Sequence, residues 1–144
     1  MLIQISIGLL AVIASVISQT AVFWYALRYQ ANMISWATAH DKYWAYILVL
    51  SSSIAWIILA HVVITLIWCL VYLSIDMFAT LETTLYFVLV TFTTLGFGDL
   101  LAPVEWQLLS GITASNGLLA FGASTAFQVQ YFVTIRALII DPRK

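Results

Sequence analysis

The sequence predicts an all-α membrane protein, with three helices that cross the bilayer and one short re-entrant helix between the second and third. Three observations predict it. Of 144 residues, 64% are hydrophobic and only 8% charged, with a mean hydropathy of +1.07, whereas a soluble domain carries about 25% charged residues. Three apolar runs, 2–27, 44–75 and 105–135, each exceed the roughly 20 residues that a helix needs to cross about 30 Å of hydrocarbon. Between the last two, the helix-like run from Leu81 to Thr93 is too short to cross and leads straight into a Gly-rich stretch.

Each element follows from its residues. The first run begins at Met1 with no basic stretch ahead of it and no small-residue cleavage site before Arg28, which predicts a retained helix and not a cleaved leader. The second, 44–75, is predicted to span by its length alone. The short segment carries an implication of its own. Irregular backbone survives at membrane depth only where protein buries it or a watery cavity faces it, because lipid offers its amides no hydrogen bonds. A pore or cavity follows before any motif is named. In the third run, Ser110, Thr113, Ser115, Asn116, Ser124, Thr125, Gln128 and Gln130 predict that one face meets water or protein. No internal repeat or low-complexity linker divides the chain, and no room is expected for a separate soluble domain.

Charge narrows the function classes. Five Lys and Arg against six Asp and Glu, a net charge of -1, cannot build the basic stripe that nucleic acid requires. Cys69 alone makes no intrachain disulfide and holds no metal cluster. No nucleophile sits beside a base, so neither catalysis nor an organic cofactor is expected. Arg28 and Lys42 lie between the first two spans, and Arg136, Arg143 and Lys144 follow the third. Three crossings put both groups on one side, the cytoplasmic one by the positive-inside rule, with the amino terminus outside. The outer side then receives Asp76, Glu82, Asp99 and Glu105, an acidic mouth that concentrates cations, the alternative for Asp76 and Glu105 being solvated loop residues. Trp24, Tyr25, Tyr29, Trp36, Tyr43 and Trp44 gather at the inner interface and Trp106 at the outer one.

The chemistry sits in Thr93-Thr94-Leu95-Gly96-Phe97-Gly98-Asp99. A bare monovalent cation crosses a pore only if close, numerous, weakly charged oxygens replace its hydration shell, which stacked backbone carbonyls do. Turning every carbonyl inward is sterically awkward, and glycine at alternate positions, Gly96 and Gly98, relieves it by tolerating positive φ. Thr94 adds a hydroxyl oxygen, while Leu95 and Phe97 are expected to point outward and brace the ring against the short helix. That helix aims its partially negative carboxyl end at the membrane centre, where it stabilises a cation.

This stretch resembles the Thr-Val-Gly-Tyr-Gly-Asp selectivity filter of the potassium-channel family, with Leu95 in place of valine and Phe97 in place of tyrosine. A Gly-Phe-Gly version also occurs among members. The similarity extends from about Ile47 to Tyr131. It implies an outer helix over 44–75, a pore helix over 81–93, a filter over 94–99 and an inner helix over 104–136. An N-terminal helix and cytoplasmic loop over 1–43 precede this 44–144 pore domain, as in small bacterial channels that carry one extra helix before a two-helix pore unit. By the same resemblance potassium is held at Thr94, Leu95, Gly96 and Phe97, with Gly98 completing the filter. Asp99, Glu82 and Thr93 form its support and outer mouth. Asn116 to Gly122 looks like the family's inner-helix segment, in which Gly117 matches the gating hinge and Leu118, Phe121 and Thr125 face the central cavity.

Asn116, costly in lipid, is expected to line that cavity, the alternative being an interhelical bond. For Gly117 and Gly122 the alternative is close helix packing. His61 is expected as a packed hydrogen-bonding residue, and no span carries the regular arginines of a voltage sensor. The sequence departs from the family at position 90, where some bacterial members carry a glutamate that bonds the filter aspartate. Val90 cannot do so, and Asp99 needs another partner, a neighbouring aromatic or water. Phe97 also lacks the tyrosine hydroxyl, a bracing bond worth about 1 kcal/mol.

One chain supplies one filter strand, and a ring of carbonyls around a single ion needs four. The expectation is therefore a fourfold homotetramer, three identical subunits around each chain, in the bacterial inner membrane among its lipids. It conducts potassium passively, with the permeant ion its one non-protein ligand. A weakly selective monovalent cation channel and a non-conducting membrane accessory protein are the rival readings.

Overall fold

The computed structural model describes residues 1–40 and 43–140. Lys42, Arg143 and Lys144, three of the cations expected on the cytoplasmic side, lie outside the described residues, as does the side chain of Tyr43. The described chain is helical, with no β-strand: α1 is Leu2–His40, α2 is Tyr43–Ser74, α3 is Leu81–Phe92 and α4 is Gln107–Ile140, the last preceded by a 3-10 turn over Val104–Trp106, and an extended strand without sheet partners over 94–99 follows α3. Three stretches are long and apolar enough to cross a membrane, Leu2–Thr38, Trp44–Ser74 and Val104–Ala137.

The loop expected after residue 27 is helix as far as His40. Arg28 ends the apolar run but not the tendency to coil, since Gln30, Ala31, Met33 and Ala37 all favour helix. Tertiary packing rewards the extension too, because Ala37 joins Ala45, Val49 and Ile135 in a small apolar core of its own. At 1.5 Å per residue, α1, α2 and α4 are about 58, 48 and 51 Å long. All three exceed the hydrocarbon thickness.

Side-chain pairs give the helix directions. Tyr29 meets Trp56 with tilted rings and Trp36 meets Trp44 edge-on, with ring centroids 6.0 and 5.4 Å apart, so α1 and α2 are antiparallel. Gly8 meets Ile112, Gln19 meets Ser124 and Phe23 stacks on Phe127 at 4.2 Å, so α1 and α4 run the same way. That geometry carries Arg28 and Arg136 toward one end of the bundle, away from the α3 end. α3 is wedged between α2 and α4, and Phe87, Val88 and Phe92 join Ile64, Trp68, Tyr72 and Leu109 in the main core.

α1 enters the bundle on a narrow stripe of small and amide residues. Ala11, Ser15, Gln19, Ala26, Gln30 and Ala37 are all buried, as is Gly8. Small residues let helix backbones approach closely where lipid removes the hydrophobic drive, and of the two buried amides Gln19 bonds across the seam whereas Gln30 does not. Midway along, Gln19 Nε2 donates to the Ala120 carbonyl at 2.9 Å and to Ser124 Oγ at 3.2 Å. Ser124 Oγ also lies 3.0 Å from His61 Nε2 of α2. Further along, Ser53 Oγ donates to Gln128 Oε1 at 2.9 Å.

Candidate functional site

α3 starts and stops where its residues dictate. Thr80 is the N-cap and accepts a bond from the Thr83 amide at 3.2 Å, and Glu82 sits in the first turn, where the helix dipole favours negative charge. At the far end Thr93 folds its hydroxyl back on the Leu89 carbonyl at 2.6 Å. The chain then leaves the helix without losing hold of it. The amides of Leu95 and Gly96 both donate to the Val90 carbonyl, at 3.0 and 3.3 Å, and Thr94 donates to Thr91 at 3.0 Å.

Beyond that anchor the backbone alternates in hand. Thr94, Gly96 and Gly98 have φ of +60°, +55° and +79°, while Leu95 and Phe97 between them do not turn positive. Successive carbonyls of an ordinary extended strand point to opposite sides, and reversing every second residue brings them onto one side. For β-branched Thr94 this conformation costs about 1–3 kcal/mol, a strain that persists only where its surroundings impose it. At Gly96 and Gly98 an added Cβ would meet nothing within 4 Å. Within one protomer, backbone hand and not space therefore selects glycine there.

The strand ends on Asp99. Its Oδ2 accepts a 2.5 Å bond from the Tyr86 hydroxyl of α3, and its Oδ1 accepts from the Leu100 amide at 3.0 Å. The Tyr86 bond holds the Asp99 carboxyl below its ordinary range, and the same bond pushes the Tyr86 hydroxyl up. Tyr86 precedes Val90 by one helical turn, so the aspartate is tied to α3 one turn earlier than a side chain at position 90 would tie it.

The remaining expected residues lie at the strand, at the start of α3 or along α4. Thr93, Thr94, Leu95, Gly96, Phe97, Gly98 and Asp99 lie together, with Glu82 exposed at the start of α3. Leu95 and Phe97 are 60% and 67% exposed, so they do not brace against their own short helix as expected. Within one protomer the strand stands off from α3 and α4 across a cavity of about 300 Å³ that Val90, Gln107 and Ser110 help to bound. Asn116, expected on the cavity face, is enclosed by its own protomer at 2% exposure, with Nδ2 unbonded. It falls in register with Thr113, Ala120 and Ser124 on the buried side of α4. Gly117 is buried against α3, where a Cβ would collide with the Phe92 carbonyl. Leu118 and Thr125 lie on the exposed side of α4, and Phe121 lies at its edge, its ring 4.5 Å from His61 and 5.5 Å from Phe92.

Three spanning helices, a short helix wedged between the last two, and a strand of alternating hand tied to that helix define a pore-loop membrane protein. Residues 60–134, just over half of the chain, match the family model described as Ion channel. The chain belongs to the ion channel family, and the match covers the second half of α2 from Ala60 on, all of α3 and the strand, and most of α4. No curated protein and no solved structure matches it.

Proposed function

We propose that four copies of this chain surround one axis as a passive potassium channel. The alternation of hand at Thr94, Gly96 and Gly98 carries the reading. It turns peptide oxygens to one side of a narrow strand, where they replace the water around a dehydrated monovalent cation. A single strand supplies oxygens on one side of the ion only, so closed fourfold symmetry completes the site. Potassium sits at Thr94, Leu95, Gly96 and Phe97, with Gly98 closing the filter and Thr93 and Asp99 supporting it. Neighbouring copies cover Leu95 and Phe97, and Leu118 and Thr125 face the shared cavity. Arg28 and Arg136 mark the cytoplasmic side, and Asp99 and Glu82 the outer mouth. Residues 44–144 form the pore domain and α1 lies outside it. Ions pass down their gradient, a process that needs no covalent step.

Reconstitution tests the reading. In liposomes or planar bilayers with opposed potassium and sodium gradients, the reversal potential is expected to follow potassium. Equal permeability replaces this reading with a weakly selective cation pore. Absence of potassium flux, together with a monomeric mass in detergent, overturns it.

A further inference from the structure

α1 lies outside the matched region, yet its Gln19 reaches α4 at a sensitive point. The Ala120 carbonyl that Gln19 bonds already belongs to the α4 hydrogen-bond ladder, and a side chain that competes for a ladder carbonyl is a recognised cause of helix bending. Ser124, one turn on, is shared between Gln19 and His61, so two helices grip the same turn of α4. Gly117, one turn before, is fixed against the Phe92 carbonyl, whereas an added Cβ at Gly122 would meet nothing within 4 Å. The helix is thus held tightly at Gly117 and is open beside Gly122. Gln19 is only 7% exposed, and an amide buried in an apolar bundle keeps its bonds because leaving them is costly.

We propose that Gln19 is a positioning residue for the pore. Through Ala120 and Ser124 it sets the bend of α4, and with it the fraction of time that the channel is open; His61 holds the same turn from the other side. The inference rests on the channel reading above and gives α1 a part in gating.

Single-channel recording of the full chain tests it. Gln19→Met keeps length and apolar shape but removes the donor, and Ser124→Ala removes the shared hydroxyl. Each is expected to change the open-to-closed ratio by about three- to twentyfold, the range that interhelical bonds in membranes support. Unitary conductance and the potassium-to-sodium permeability ratio stay at wild-type values, and the double variant shows less than the product of the two shifts. Thr20→Val, on the exposed side of α1, leaves the ratio unchanged. Ratios within twofold of wild type in both single variants overturn the proposal, as does an equal shift in Thr20→Val. Should Gln19→Met not assemble, Ser124→Ala decides by the same criterion. A wild-type chain that passes no potassium overturns the channel reading and this one with it, whereas conduction with undisturbed gating overturns this one alone.

Discussion

At Gly96 the conflict between side chain and backbone is conformational within the protomer, since φ is +55° and nothing lies within 4 Å of an added Cβ. Gly96→Ala therefore adds no clash inside the protomer and costs roughly the 1–2 kcal/mol that an L side chain meets in this region. The expected result is loss of potassium flux from a protein that still inserts and assembles, measured by flux and mass on one preparation. The Tyr86–Asp99 bond makes a second prediction, with a definite sign. Asp99 is held below its ordinary value, so the tie is present at neutral pH and is lost as pH falls through that lowered value. Tyr86 is raised, so its half is lost only as pH rises through the raised tyrosine value. Current decay during sustained opening is expected to be slow at neutral pH and to quicken on outer acidification below the ordinary carboxylate range. Tyr86→Phe makes it quick at neutral pH already; unchanged decay there rejects the tie as a support. The glycines were legible from spacing, and the need for a substitute partner was legible from Val90. The identity of Tyr86 was not, because it depends on how the strand folds back along α3. Asn116 was misplaced for a related reason: its polarity fits a cavity and a helix seam equally, and only burial separates them.

Between elements, two glycines in close contacts differ in what a methyl group would strike. At Gly117 it is the Phe92 backbone, which cannot yield; at Gly8 it is the tip of the Ile112 side chain, 2.6 Å away, which can rotate. Gly117→Ala is expected to cost about 1–3 kcal/mol and Gly8→Ala less than about 1 kcal/mol, read as thermal stability in detergent. Equal losses would mean that the α3–α4 contact is softer than its geometry. Helix number, order and the shortness of α3 were legible from run lengths. The reach of α1 to His40 was not, since hydropathy reports where lipid ends and says nothing of where coiling ends. The seam of α1 escaped notice because its buried residues are small or polar, and an apolar periodicity does not single them out.

For the assembled molecule, surface charge provides a test independent of folding. Glu82 is exposed at the start of α3 and, unlike Asp99, is not tied to the strand, so its neutralisation leaves the Tyr86–Asp99 bond in place. Glu82→Gln is expected to lower inward conductance modestly at about 0.01 M salt, where screening lengths are about 30 Å, and to have no effect near 1 M. A decrease that persists in high salt points to damage of the fold. The parallel course of α1 and α4 was legible from the number of crossings. The proposed fourfold closure was argued from the one-sided strand, and within one protomer Leu95 and Phe97 stay uncovered. The bare Gly117–Phe92 contact has a mechanical consequence. With no side chain between them to act as a cushion, a displacement of α4 at Gly117 would press directly on the end of α3 from which the strand departs.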